Sequence, residues 1–214
     1  MLEKSSSLSY EGSPWSKVPQ IIDSMDVKAQ QFIDSIANEK IQPWKLLHEL
    51  TESSYFIAAF IIFLLSILYK LCKKNHFSLK QFILFAALYL FMLICADSIA
   101  RELKDFIGRL KPFETDALRS RSHKESFPSN HATNIAYLIF YFSFLSKKLS
   151  SRLSISLQSG LIFFALLLAI SRVFFGEHYP LDISAGLLLG LSLAYFTVFL
   201  SLKLLLRVKV PKSQ

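Results

Sequence analysis

Residues 160–194 read GLIFFALLLAISRVFFGEHYPLDISAGLLLGLSLA, and the way this stretch divides decides the fold. Apolar runs over 153–175 and 182–206 each approach the roughly 20 residues that a helix needs to cross a bilayer. Between the runs, or at their edges, lie Arg172, His178 and Asp182. Ionisable groups beside hydrocarbon are costly, and where they persist they usually have a task. The stretch therefore predicts two membrane helices joined by a short functional turn.

Within that turn Gly176 lets the chain reverse and His178 precedes Pro180. Proline is favoured at the first helical position, so the last helix is predicted to start there. His178 then stands just ahead of a helix N-terminus, whose partial positive charge favours an anion. Asp182 follows four residues later, in the first turn and within reach of the imidazole. A carboxylate there would hold one ring nitrogen as N–H and leave the other lone pair free to attack. The plainer reading is a boundary histidine beside a helix-capping aspartate.

Two further pieces have the same character. Phe127-Pro128-Ser129-Asn130-His131 lies where a loop becomes an apolar run. Ser129 is a natural N-cap, the free N–H groups of that turn would face an anion, and His131 would protonate a leaving oxygen. The segment from Lys104 to Lys111-Pro112 ends another apolar run. Proline disfavours helix at the residue before it, which places Lys111 on an extended turn. Alone, these pieces read as a simple cap and a basic membrane boundary. Together they offer two histidines, three cations and a carboxylate, a set suited to metal-free phosphoryl transfer through a histidine. Asp97 and Arg101, four apart, read as a structural ion pair on one helix face.

The chain has 214 residues, 52% of them hydrophobic, a length that fits one domain. Apolar runs at 54–72, 79–100, 131–146, 153–175 and 182–206 predict an all-α integral membrane protein, a bundle of about five transmembrane helices. Loops 70–80 and 147–152 and the tail 203–214 then share one side. They carry Lys70, Lys73, Lys74, Lys80, Lys147, Lys148, Arg152, Lys203, Arg207, Lys209 and Lys212, and no acid. By the positive-inside rule that side is cytoplasmic, and the three polar pieces face the exterior or periplasm. The net charge of +8 is explained by topology and a phosphate pocket, so nucleic acid is not an expected partner.

Ahead of the spans, residues 18–50 are predicted to form amphipathic interfacial helices. Ile21, Ile22, Met25, Ala29, Phe32, Ile33 and Ile36 recur at helical spacing, with Asp23, Asp26, Lys28, Gln30 and Asp34 between them. Such a helix lies in the membrane surface. Pro43-Trp44 would start a second, residues 1–17 read as a disordered tail, and 207–214 as a basic cytoplasmic tail. The N-terminus lacks the pattern of a cleaved signal peptide, so insertion is expected to come from the spans themselves. Cys72 and Cys95 lie in or beside apolar runs and read as packing residues.

The three pieces resemble the type-2 phosphatidic acid phosphatase family, whose fold is shared with the vanadium haloperoxidases. The family pattern is Lys, six residues, Arg-Pro; then Pro-Ser-Gly-His; then Ser-Arg, five residues, His, three residues, Asp. This chain has Lys104 to Lys111-Pro112, Pro128-Ser129-Asn130-His131, and Ser171-Arg172 with His178 and Asp182, in the same order and spacing. The resemblance covers residues 54–206. It implies a transmembrane phosphatase domain in which His178 is the nucleophile, Asp182 orients it and His131 protonates the leaving group. Lys104, Lys111, Arg172, Ser129 and Asn130 would bind phosphate, and no metal or cofactor is required. Two positions depart from the pattern: Lys111 stands for arginine and Asn130 for glycine. Arg109 would supply part of the missing two-pronged contact.

The implied activity is hydrolysis of a lipid phosphomonoester or diphosphate at the outer leaflet. The substrate class includes undecaprenyl diphosphate, lipid A, phosphatidylglycerol phosphate and phosphatidic acid. Membrane lipid is the expected surrounding, and a bacterial inner membrane the expected location. The rival activities are a lipid phosphotransferase using the same phosphohistidine and a non-catalytic lipid-binding membrane protein.

Overall fold

The computed structural model describes residues 20–37, 49, 54–74, 76–112, 125–148 and 155–207. The expected tail 1–17, the helix at Pro43-Trp44 and the segment 208–214 lie outside the described residues. Helices run over Gln20–Ala37 (α1), Ser54–Lys74 (α2), Leu79–Ile107 (α3), Asn130–Lys148 (α4), Ile155–Phe174 (α5) and Pro180–Arg207 (α6). Outside the helices, Leu110 and Glu125 form a single antiparallel bridge. The fold is all-α.

Both ends of α3 have local causes. Ser78 caps α3 in a reciprocal box: its Oγ accepts from the Gln81 N–H at 3.3 Å, and the Gln81 side chain accepts from the Ser78 N–H at 2.8 Å. The apolar run of α3 ends at Ala100, but Arg101, Glu102, Leu103 and Lys104 are good helix formers and carry it on. Gly108 stops it in the left-handed region, φ 66°, its N–H donating to the Lys104 carbonyl at 2.8 Å. Lys111 therefore lies beyond the helix, as Pro112 demands.

Leu79–Ile107 and Pro180–Leu204 are long and apolar enough to cross a membrane, with mean hydropathies of 2.3 and 2.0. Their outward faces are apolar: Phe91 is 60% exposed and Leu188 64%. The interior is less so. Tyr89, Tyr137 and Tyr141 stack at the centre of the bundle, and the Tyr137 hydroxyl donates to the Tyr89 carbonyl at 3.0 Å. Cys72 is buried in the same core and Cys95 is half-buried; both are free thiols.

The closest packing is between α4 and α6. A Cβ on Gly186 would come within 2.6 Å of the Ser129 carbonyl, and one on Gly190 would overlap the Thr133 carbonyl. Ala132 and Ala136 face the same two positions. Small residues four apart let two helix backbones touch where hydrocarbon outside offers no hydrophobic drive. This contact aligns the first turns of α4 and α6, Asn130 and Pro180, at one end of the bundle.

Gly160, by contrast, has open space around its missing Cβ. Gly190→Ala is expected to lower the thermal midpoint in detergent, followed by circular dichroism, at an overpacking cost of about 1–3 kcal/mol. Gly160→Ala should hold or raise the midpoint, with a stability gain of up to about 0.5–1 kcal/mol, because alanine is the better helix former. Equal midpoints for the two variants would refute the close contact.

Candidate active site

The turn between α5 and α6 is fixed by its backbone. Gly176 takes φ 63°, its N–H donates to the Val173 carbonyl at 2.9 Å, and the Glu177 N–H donates to the Arg172 carbonyl at 3.1 Å. This paired closure is a Schellman motif. Pro180 opens α6 and Asp182 caps it, one carboxylate oxygen accepting from the Tyr179 N–H at 2.8 Å. His178 is held between these two stops and is 3% exposed. Its Nδ1 lies 3.7 Å from Asp182 Oδ2, too long for a hydrogen bond.

The start of α4 meets this turn. Ser129 is fully buried, caps the helix by accepting from the Ala132 N–H at 3.3 Å, and donates its own N–H to the Asp182 carbonyl at 3.1 Å. His131 is half-buried, and the charges of Arg172, His178, Glu177 and Lys104 all act on its ring. The side chain of Asn130 is turned toward α3, donating to Asp97 at 3.4 Å, while Asn134 donates to the same carboxylate at 2.9 Å. Asp97 also holds the expected pair with Arg101, at 2.8 Å.

Lys104 and Lys111 complete the cluster from α3 and the segment after it. Lys104 is 6% exposed, and its ammonium donates to the carbonyls of Glu125 and Ser126 at 3.2 and 3.3 Å. Both lysines act electrostatically on His178. The structure thus brings Lys104, Lys111, Ser129, His131, Arg172, His178 and Asp182 to one end of the bundle.

Arg109 does not join the phosphate-binding set that its closeness to Lys111 in sequence suggests. Gly108 turns the chain, and Arg109 goes to full burial with one guanidinium nitrogen 2.6 Å from Asp182 Oδ1 and 2.7 Å from Asp26. A second nitrogen lies 3.2 Å from Asp23, and the guanidinium stacks 3.8 Å over the Tyr179 ring. Three carboxylates converge here, and the guanidinium fills their centre. Among the described residues no group of His, Cys, Asp or Glu is arranged to hold a metal ion.

Sequence reasoning also passed over Glu177. It is buried and accepts from Arg172 at 2.8 Å. Burial works to raise its carboxyl, but the Arg172 charge and hydrogen bond bring it down to about 2. Burial and the Lys104 charge lower His178 to about 4, with Asp182 working the other way. His178 is therefore neutral, and Glu177 ionised, throughout the physiological range. The signal for Glu177 was an acid directly before the motif histidine, among groups otherwise cationic.

Three comparisons bear on this arrangement. The model of the PAP2 superfamily matches residues 85–204. The bacitracin transport permease protein BcrC of Bacillus licheniformis is 26% identical over 84% of this chain and 82% of its own. The lipid A 1-phosphatase of Rhizobium johnstonii is 30% identical, and the phosphatidylglycerophosphatase B of Bacillus subtilis 34%, over 57% and 44% of this chain. These two matches span about half of each relative, 51% and 46%. The crystal structure of the transmembrane PAP2 type phosphatidylglycerolphosphate phosphatase from Bacillus subtilis has the same fold. It superposes with a TM-score of 0.61 over 92% of both chains at 23% identity.

Glu177 already occupies Arg172, so any phosphate taken up at Arg172 would have to compete with a built-in anion. Glu177→Gln is expected to tighten inorganic phosphate binding by roughly tenfold, ~1.4 kcal/mol, in a titration that also checks the thermal midpoint. Unchanged or weaker binding by a folded variant would mean that Arg172 does not exchange Glu177 for phosphate.

Proposed function

The chain belongs to the PAP2 superfamily, and we propose that it is a lipid-phosphate phosphatase working through a phosphohistidine. The observation that carries this reading is the convergence of His131, His178, Lys104, Lys111 and Arg172 on one buried end of the bundle. A neutral His178 uses its free nitrogen to attack phosphorus, the P–O bond to the lipid breaks, and His131 protonates the leaving oxygen. Water then attacks the phosphohistidine while His131 takes its proton, releasing phosphate and restoring His178. Lys104, Lys111 and Arg172 balance the charge on the phosphoryl oxygens, in place of a metal. Ser129 and the Asn130 backbone complete the cradle at the start of α4, whose free N–H groups favour an anion.

Asp182 orients the nucleophile. One of its oxygens is committed to Arg109 and the other to the Tyr179 N–H, so the carboxylate is fixed in front of His178. Closing the 3.7 Å gap to Nδ1 on substrate binding fits the loose geometry usual before the reacting complex forms.

We assign α2 to α6 as five spans, with the site on the side opposite the basic loops and hence outside the cytoplasm. A lipid tail would stay in the bilayer while its head enters the polar end. Relatives whose names specify lipid A and phosphatidylglycerophosphate support a phosphorylated lipid head; undecaprenyl diphosphate and phosphatidic acid belong to the same class. A bacterial inner membrane is the proposed location. The permease name of the Bacillus licheniformis relative favours a second reading, lipid handling without hydrolysis.

Phosphate release in detergent with EDTA, across undecaprenyl diphosphate, phosphatidylglycerol phosphate, phosphatidic acid and lipid A, tests the reading directly. Release is expected from at least one lipid with wild type and none with His178→Ala. An active His178→Ala variant, or a requirement for added Mg²⁺ or Zn²⁺, would overturn the mechanism. Lipid turnover without free phosphate would point to phosphotransfer, and function surviving in His178→Ala to the second reading.

The pH profile gives an independent check. A nucleophile lowered to about 4 stays neutral above that pH and is lost to protonation below it. The acid limb of kcat/KM should therefore have its midpoint near pH 4 rather than near the ordinary histidine value of about 6.5. A midpoint at the ordinary value would place another group in charge of the limb.

A further inference from the structure

The N-terminal helix α1 packs by a face that is mostly polar. Asp26 and Gln30 are 8% and 3% exposed, whereas Ile21, Met25 and Phe32 are 69%, 66% and 67% exposed. A helix in water does the reverse. This orientation suits a helix whose outer side meets lipid. The question is what its buried polar groups do.

They grip the His178 turn at both ends. Gln30 donates its amide to the Val173 carbonyl at 2.9 Å, in the last turn of α5. Asp26 Oδ1 accepts from the Leu181 N–H at 2.9 Å, in the first turn of α6. The other Asp26 oxygen lies 2.7 Å from the same Arg109 nitrogen that stands 2.6 Å from Asp182. A chain of contacts thus runs from α1 through Arg109 to Asp182, and from there to His178.

We propose that α1 is part of the catalytic apparatus, with Asp26 as a positioning residue that aligns Asp182 and His178 through Arg109 and the Leu181 N–H, and Gln30 bracing the other end of the turn. The inference rests on the phosphohistidine reading above. Arg109 is fully buried, and such a cation holds one place only while its carboxylates surround it. Removing Asp26 leaves Asp182 with a partner free to shift. A small displacement of an aligning group can cost up to about a hundredfold in rate. The phosphate cradle of Lys104, Lys111 and Arg172 is not touched by Asp26, so the loss should fall on kcat and not on KM.

The test uses the full chain in detergent and the panel lipid that wild type hydrolyses fastest. Asp26→Asn keeps the acceptor for the Leu181 N–H and removes the charge facing Arg109. Its kcat is expected to fall by roughly ten- to a hundredfold, with KM within about twofold and the circular dichroism spectrum unchanged. Gln30→Met removes the other brace without altering charge, and a smaller drop in kcat is expected; it decides the matter if Asp26→Asn does not fold. Wild-type kcat in the folded variants, or a rise in KM alone, would overturn the proposal. His178→Ala runs beside them. If it is inactive while the α1 variants match wild type, the histidine mechanism stands and the strut falls. If His178→Ala is active, or no lipid is hydrolysed, both fall together.

Discussion

The backbone of α4 touches that of α6 at Gly186 and Gly190, and the geometry of the site depends on this contact. With the two helices held that close, their N-termini coincide, and one hydrogen bond, from the Ser129 N–H to the Asp182 carbonyl, ties the turn carrying His131 to the turn carrying His178. A side chain at either glycine would meet the α4 backbone and force the two helices apart. Helix packing in lipid has no hydrophobic drive to fall back on, so steric fit carries more of the burden than in a soluble bundle.

Electrostatic order is built on that frame. Buried cations here are not left waiting in hydrocarbon. Arg109 has three carboxylates around it, Arg172 has Glu177, and Lys104 has two backbone carbonyls. Burying charge is costly unless it is paired, and these partners offset that cost. They also divide the cations by role. Arg109 is committed to structure on the side of Asp182, while Arg172 pairs with Glu177.

Much of this was legible in the sequence, for reasons that can be named. Pro180 and Gly176 act through backbone geometry, which is local, so the start of α6 and the end of α5 followed from residue type. Ser129 capped its helix for the same reason, and Pro112 put Lys111 beyond α3. Arg109 was misassigned because nearness in sequence says nothing of direction once Gly108 turns left-handed. Glu177 was hidden among the unspecified positions of a motif. For α1 the periodicity separated apolar from polar positions but could not say which side the protein would cover, because that depends on what the helix packs against.

The column formed by Tyr89, Tyr137 and Tyr141 has a spectroscopic consequence. The chain contains two tryptophans, Trp15 and Trp44, and both precede α2. The bundle from α2 onward is therefore free of indole, and its near-ultraviolet signal arises from phenol and phenyl rings, three of the phenols stacked at its centre. Tryptophan emission will therefore report on the N-terminal segment alone, with no indole emission from α2 to α6. That segment can be followed by its own fluorescence, without a label.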